Sequence, residues 1–273
     1  MAPSLFLGDA MDLADEILRQ SILFIVSFAA NLFASVSGGG AGFVQFPLLI
    51  LLGLPFATAL GTHKVAVVFL GVGALLRKRR SGGRFVFDRQ VALIMTLLGA
   101  PAVVMGSLII IKIPSHIAEV VLGVITIAAG IYSFFKKSFG SVSDPNRSAL
   151  RLLAGSLAVI LIGLFSGSLS SGAGLFATMT LVGIFRLDLK SAILHSMVFV
   201  ATLWNAIGAV TVGMATSIHW HWIPVMVVAT LMGSYLGTTL LIKLPVKRVK
   251  LIFSMVAVLS GLMLIYAAFT RGS

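Results

Sequence analysis

Residues 40–43 read Gly-Ala-Gly-Phe, and residues 172–175 read Gly-Ala-Gly-Leu. A shift of 132 residues superposes these two stretches. After a slip of one residue, the Ile-Lys-Ile-Pro of residues 111–114 falls on the Ile-Lys-Leu-Pro of residues 242–245. The chain therefore contains an internal repeat, and each copy opens with a segment that glycine interrupts.

The composition is that of a membrane protein. The chain has 273 residues, of which 59% are hydrophobic and 10% are charged, and its mean hydropathy is +1.10. A soluble domain of this length could not cover so much apolar surface with so few charged side chains. The sequence has no cysteine, which excludes disulfides, iron–sulfur clusters and thiolate metal sites. We therefore predict a polytopic membrane protein that carries no cofactor.

Each repeat contains five apolar segments. In the first repeat they cover residues 22–37, 43–54, 59–76, 90–111 and 116–135, and in the second repeat residues 152–169, 173–185, 190–213, 221–242 and 248–269. The second segment of each repeat is shorter than the about 20 residues that a helix needs to cross about 30 Å of hydrocarbon. We therefore predict an all-α fold of two repeats, each a glycine-broken helical hairpin plus three transmembrane helices.

The same pattern divides the chain into four parts. Residues 1–20 carry four acidic side chains and one arginine, the opposite of the basic region of a signal peptide. The spacing of their apolar residues predicts an amphipathic helix at the membrane surface. Residues 21–136 are predicted to form the first membrane repeat, residues 137–151 a cytoplasmic linker, and residues 152–273 the second membrane repeat.

The basic residues predict the orientation. If each hairpin is followed by three spans, sixteen of the 20 Lys and Arg residues lie on one side, and Arg19, Lys112 and Arg271 lie on the other. Positive charge gathers in cytoplasmic loops, so both termini are predicted to be outside. An odd number of crossings per repeat makes the two repeats inverted. The net charge of +12 is thus a topology signal, and no basic face with interleaved aromatic residues indicates a nucleic-acid partner.

The two glycine breaks are predicted to form the binding site. Glycine lets the backbone leave helical geometry, and the helix after each break begins with N–H groups that have no partner within that helix. These donors and the positive end of the helix dipole suit an anion. The alternative is that small residues only let helices pack closely. The predicted ligands are Gly39, Gly40 and Gly42 in the first break and Ser171, Gly172 and Gly174 in the second.

A further group of polar residues stands early in the third segment of each repeat. Lys64 is followed by six apolar residues, so it indicates a functional site unless its side chain extends to the headgroups. The shift of 132 places His63 on His195, and a repeat-matched pair beside the breaks favours a functional role. The alternative for each histidine is a hydrogen bond within the core. The neutral candidates for substrate binding are Thr62, Ser196 and Asn205.

The acidic residues predict the sign of the substrate. The eight acidic side chains are Asp9, Asp12, Asp15, Glu16, Asp88, Glu119, Asp144 and Asp188. None lies at the middle of a predicted span, where cation transporters and proton relays normally place a carboxylate. We therefore expect an anionic substrate. The run of residues 219–222, His-Trp-His-Trp, favours an aromatic belt with interfacial histidines over a metal site, and we predict no metal.

These motifs, taken in order, resemble the TauE/SafE sulfite-exporter family, also described as toluene-sulfonate uptake permeases. The matching stretches are residues 37–42, 46–49, 53–55, 59–64 and 163–174. The resemblance covers nearly the whole chain after residue 20. It implies a secondary transporter, here an exporter, of sulfite, sulfonates or related small organosulfur anions across a bacterial inner membrane. The chain differs from the usual family pattern at His63 and at the pair His195-Ser196.

Three other functions are open from the residues alone. A channel-like anion pathway differs from a transporter in turnover and saturation, and a non-transporting scaffold differs from both in carrying no flux. An intramembrane enzyme is disfavoured because H-E-x-x-H is absent and residues 167–172 lack the glycine of a rhomboid-type G-x-S-G. We predict that the protein is not an enzyme, that it transports this or another small anion, and that its partners are the substrate, membrane lipid and a second copy in a homodimer.

Overall fold

The computed structural model describes residues 3–80, 86–109, 146–168 and 172–271 and scattered positions between 120 and 144. All the regular secondary structure of these residues is helical. The helices are α1 (Pro3–Ser37), α2 (Gly42–Leu51), α3 (Phe56–Arg80), α4 (Arg89–Ile109), α5 (Ala149–Ser168), α6 (Ala173–Gly183), α7 (Leu189–Ala215), α8 (Trp220–Lys243) and α9 (Val246–Arg271). The all-α prediction is confirmed. Ser171 lies outside the described residues, as does much of the predicted segment 116–135.

Six of these helices are long and apolar enough to cross a membrane. They are α3, α4, α5, α7, α8 and the Ala14–Ser37 part of α1. The two short helices are α2, with 10 residues, and α6, with 11 residues. Each occupies the predicted short second segment of its repeat, directly after a glycine break. The chain is therefore a multi-pass membrane protein, as the composition predicts.

The first helix is longer than the sequence pattern indicates. A separate surface helix is predicted for residues 1–20, whereas α1 continues without interruption from Pro3 to Ser37. Residues 9–37 contain neither glycine nor proline, so nothing in the sequence interrupts the helical hydrogen bonds there. The acidic residues of the N-terminal part thus lie on an extension of the first predicted span.

A glycine with a positive φ lies at the break of each hairpin. The Gly38 and Gly39 N–H groups both donate to the Ala34 carbonyl, and Gly38 has a φ of 80°. In the second repeat, Gly172 precedes α6 with a φ of 85°. Side chains other than glycine rarely adopt these values. The backbone can therefore reverse in the middle of the protein without strain.

Equivalent pairs of helices from the two repeats pack in the same way. Helix α8 packs on α1, where a Cβ added to Gly237 would lie 2.3 Å from the Leu32 carbonyl oxygen. Helix α4 packs on α5, where a Cβ added to Gly106 would lie 1.9 Å from the Leu164 carbonyl oxygen. Gly106 and Gly237 are repeat equivalents, and so are Leu32 and Leu164. Small residues thus let the fourth helix of each repeat touch the backbone of the first helix of the other repeat.

One end of the helix bundle is rich in basic side chains, and we call it the basic face. Its hydrogen bonds join Arg77 Nε to Thr239 Oγ1 (2.6 Å), Lys190 Nζ to the Ile242 carbonyl (3.1 Å), and Arg147 Nη2 to Asp88 Oδ2 (2.7 Å). Arg147 Nε also donates to the Phe185 carbonyl, 2.5 Å away. The ends of α3 and α8 and the beginnings of α4, α5 and α7 therefore lie together on the basic face.

The other end carries the loop before α8, and we call it the histidine face. There Thr58 and Ser217 are hydrogen-bonded at 3.2 Å, and His221 Nε2 lies 3.0 Å from Glu16 Oε1. Helix α3 therefore runs from the histidine face to the basic face, and its repeat equivalent α7 runs the opposite way. The hairpin α1–α2 begins and ends at the histidine face, and the hairpin α5–α6 begins and ends at the basic face.

Candidate functional site

The two glycine breaks meet in the centre of the protein. A Cβ added to Gly39 would lie 2.5 Å from the backbone nitrogen of Leu175, and one added to Gly174 would lie 2.5 Å from the Gly38 carbonyl oxygen. No side chain could be inserted between backbones at this distance without moving them apart. Breaks that are 132 residues apart in the sequence are therefore neighbours in space.

Ser196 joins the two breaks. Its Oγ lies 2.7 Å from the Gly38 carbonyl oxygen and 2.8 Å from the Gly174 carbonyl oxygen, so the hydroxyl proton is shared between the two breaks. Thr178 Oγ1 donates to the same Gly174 carbonyl at 2.9 Å. Ser196 is buried, and its contacts are with the protein backbone. The hydroxyl predicted to bind substrate thus holds the breaks together.

A small cavity of about 30 Å³ lies between the breaks. A cavity needs roughly 10–15 Å³ to hold a water molecule, and this cavity exceeds that minimum. It is lined by the backbone of both breaks, by apolar side chains, and by two polar side chains, His63 and Asn205. The predicted ligands that line it are Gly39, Gly40, Gly42, His63, Gly172, Gly174 and Asn205.

Helix N-termini supply the hydrogen-bond donors of the cavity. Helices α2 and α6 begin at the cavity, and their first N–H groups have no acceptor one turn earlier in the same helix. Within the part of the chain that the structure describes, the Gly40 and Ala41 N–H groups make no hydrogen bond. The partial positive charge of two helix ends is thus directed at one small space, which favours an anion.

His63 lies on the cavity wall with 2% of its surface exposed. Its Nδ1 is 3.0 Å from Gln45 Oε1, and Gln45 Nε2 donates to Ser27 Oγ at 2.9 Å. Gln45 and Ser27 were not predicted as site residues. The sequence does contain a signal for Gln45, because it is the one side chain with hydrogen-bonding groups in the otherwise apolar helix α2.

Asn205 follows a π-helical stretch, Ser196–Trp204, in the middle of α7. Such stretches leave carbonyl groups outside the regular helical pattern and occur often at functional sites. Asn205 Nδ2 donates to the Val200 carbonyl at 3.0 Å. Trp204 Nε1 donates to the Met95 carbonyl at 2.9 Å, within a second π-helical stretch, Met95–Gly99, of α4. The irregular parts of α4 and α7 therefore touch each other.

Lys64 is completely buried but does not line the cavity. Its Nζ donates to the Ser166 carbonyl at 2.7 Å, close to the C-terminus of α5, where the helix dipole stabilises a cation. Gly208 leaves room for the side chain, since a Cβ there would lie 3.0 Å from Nζ. The amino group does not extend to the headgroups but lies inside the protein, one residue along α3 from His63.

Thr62 and His195 lie away from the cavity. Thr62 Oγ1 accepts a hydrogen bond from the His219 N–H at the histidine face (3.0 Å). His195 Nδ1 donates to the Ser191 carbonyl (2.8 Å), and its Nε2 accepts from the Asp88 N–H at the basic face (3.0 Å). Thr62 thus connects the loop before α8 to α3, and His195 connects the loop before α4 to α7. The repeat-matched histidines therefore have different surroundings.

The contact of His195 belongs to a polar network on the basic face. Asp88 caps the N-terminus of α4 by accepting from the Val91 N–H, and it pairs with Arg147, whose side chain is 2% exposed. Burial raises the pKa of the Asp88 carboxyl, but the hydrogen bonds from Arg147 and Val91 outweigh burial and hold the pKa below its usual value. The network thus attaches the chain before α5 to the beginnings of α4 and α7.

The fold and the cavity together define a class, a multi-pass membrane transporter with a polar cavity where two broken helices meet. Residues 23–264 match the family described as sulfite exporter TauE/SafE, and the chain belongs to this family. No solved structure matches the chain.

Several bacterial relatives have similar lengths. A probable membrane transporter protein of Haemophilus influenzae is 28% identical over 262 residues, which cover 96% of this chain and 98% of the relative. The probable membrane transporter protein ORF9 of a Sinorhizobium species is 29% identical over 185 residues, or 68% of each chain. YfcA of Escherichia coli K12, also a probable membrane transporter protein, is 25% identical over 246 residues, covering 90% of this chain and 88% of the relative.

Proposed function

We propose that this protein is a secondary transporter that exports sulfite or a related small organosulfur anion across the bacterial inner membrane. The substrate is held between the two glycine breaks. The observation that carries this proposal is the cavity of about 30 Å³ on which the N-termini of α2 and α6 converge. The family description supports sulfite as the substrate and export as the direction.

The charges around the cavity support an anionic substrate. Two helix N-termini direct partial positive charge at the cavity, and the buried amino group of Lys64 lies next to His63 in α3. The described acidic residues that form salt bridges, Asp88 and Glu16, do so near the two faces of the bundle, away from the cavity. A small oxyanion matches both the sign of this field and the number of backbone donors.

The arrangement of the helices supports transport by alternating access between inverted repeats. Helices α3 and α7 are repeat equivalents and run in opposite directions between the basic and histidine faces. The hairpins α1–α2 and α5–α6 enter from opposite faces and meet at the cavity. A pair of broken hairpins related in this way lets one repeat rock against the other around a fixed site.

Transport by the purified protein in proteoliposomes tests the function. We expect uptake of isotope-labelled sulfite that saturates with concentration and is inhibited by sulfonates more strongly than by chloride. Saturation distinguishes a transporter from a channel-like pathway, and the competing anions identify the substrate class. Flux equal to that of protein-free vesicles for all the anions tested would contradict the proposal, and flux without saturation would favour the channel.

Single cysteines test the orientation, because the chain contains no cysteine of its own. The proposal places both termini outside the cytoplasm, so Ser4→Cys and Ser273→Cys should each react with an impermeant maleimide in intact cells. A cysteine in the loop between α3 and α4, at the exposed Val86 (Val86→Cys), is the matched control and should react only after lysis. If both terminal cysteines are protected in intact cells, the orientation is reversed, and if one alone is labelled, the repeats are not inverted.

A further inference from the structure

The hydrogen bond between His63 and Gln45 determines which ring nitrogen of His63 carries a proton. Gln45 Nε2 donates to Ser27 Oγ, so the Gln45 amide presents its oxygen to His63. An amide oxygen has no proton to give, so with the amide oriented in this way His63 Nδ1 is the donor in this 3.0 Å hydrogen bond. In the neutral ring, Nε2 is then left with a lone pair and no proton.

That second nitrogen has no partner within the described part of the protein. The one hydrogen bond of the His63 ring there is the bond to Gln45, although the side chain is almost completely buried and forms part of the cavity wall. A ring nitrogen in a cavity wall takes its hydrogen-bond partner from whatever occupies the cavity, whether water or a ligand. A group that enters the cavity can supply this partner. Because Nε2 of neutral His63 is an acceptor, that group must donate the hydrogen bond.

We propose that Gln45 is a positioning residue and that His63 makes the site select an anion together with one proton. This inference rests on the proposed function. A singly protonated oxyanion such as hydrogen sulfite donates its O–H to Nε2 of neutral His63. An anion without an acidic proton, such as a sulfonate, binds only when His63 Nε2 has taken a proton from solution and donates it to the anion. In both cases one anion and one proton occupy the site.

Few other groups near His63 can exchange protons. On its own helix, the neighbour is Lys64, which can also exchange a proton, but its Nζ donates to the Ser166 carbonyl and the residue does not line the cavity. From the loop before α8, His219 approaches through its backbone N–H to Thr62. Residues 20–37 of α1, all of α2 and residues 196–215 of α7 contain no titratable side chain. A proton that accompanies the anion therefore has His63 as its acceptor in the cavity wall.

The binding of methanesulfonate to the purified full-length protein, measured by calorimetry as a function of pH, tests the inference. Methanesulfonate keeps one negative charge over the whole range, so its own titration does not affect the result. In the wild type, we expect its affinity to fall by about tenfold per pH unit above the titration of His63, because each binding event takes up one proton. Measurements in buffers of different ionisation enthalpy should detect that proton directly.

Three variants separate the roles of the residues. The amide of His63→Gln donates a hydrogen bond at every pH, so methanesulfonate affinity should no longer depend on pH. In Gln45→Glu, a carboxylate faces Nδ1 and stabilises the protonated ring, which should move the fall in affinity to higher pH by about one to three units. His221→Gln removes an exposed histidine of the histidine face and should keep the wild-type profile.

The outcomes distinguish this inference from the proposed function. If the wild type binds neither sulfite nor methanesulfonate at any pH, the proposed function fails. If it binds methanesulfonate with constant affinity and without proton uptake, the function stands and the inference about His63 is wrong. Proton uptake by the wild type tests the inference even if Gln45→Glu does not fold, and an unchanged profile in a folded Gln45→Glu would remove Gln45 from the mechanism.

Discussion

Transport is expected to be lost when Gly39 is replaced by alanine. The added Cβ would lie 2.5 Å from the Leu175 nitrogen and 2.7 Å from the Gly174 carbonyl carbon. Both are backbone atoms, so no change of side-chain rotamer can relieve the clash. The two breaks would have to separate, at a cost of about 1–3 kcal/mol for overpacking. We expect sulfite flux in proteoliposomes to fall to the level of protein-free vesicles, with a lower melting temperature in detergent.

The matched control for this variant is Gly183→Ala at the end of α6. A Cβ at Gly183 would meet nothing within 4 Å, so the same chemical change should leave flux and melting temperature unaltered. Wild-type flux in Gly39→Ala would show that the contact between the breaks is not needed for transport. If both variants lose flux equally, the loss does not arise from crowding between the breaks.

Replacing Lys64 with methionine is expected to weaken anion binding by about tenfold to a hundredfold, which corresponds to about 1.4–2.8 kcal/mol. Methionine has a similar length and fills the buried space, so the main change is the loss of the buried amino group next to His63 in α3. Coulomb attraction acts more strongly through a poorly solvated interior than through water. The measurement is the affinity for methanesulfonate at the pH where the wild type binds most tightly.

Two further lysine variants make this result specific. Lys247→Met removes the same charge from an exposed position near the start of α9 and should leave the affinity unchanged. Lys64→Arg keeps the charge but not the shape, since a planar guanidinium does not fit the space beside Gly208, so recovery should be partial. If a folded Lys64→Met binds with unchanged affinity, the role of Lys64 is only to hydrogen-bond the C-terminal part of α5.

Much of the fold follows from local sequence patterns. The apolar segments predict the helices because hydrophobic length matches membrane thickness, and the short segments after the breaks are α2 and α6. The glycines predict the breaks because only glycine readily adopts the positive φ found at Gly38 and Gly172. The pattern at the N-terminus was misleading, because an amphipathic spacing does not end a helix where no glycine or proline interrupts it.

Hydrophobicity and backbone freedom are local properties that each repeat shows on its own, so a membrane transporter with two matched breaks is predictable from the residues alone. The use of each polar side chain depends on contacts that form only in the folded protein. His63 and His195 are repeat equivalents, yet one lines the cavity and the other holds the Asp88 N–H. The partners of these side chains come from other helices that are distant in sequence, so no spacing within a repeat specifies them. Gln45 forms its hydrogen bonds to Ser27 and His63 only because folding brings α2 against α1 and α3.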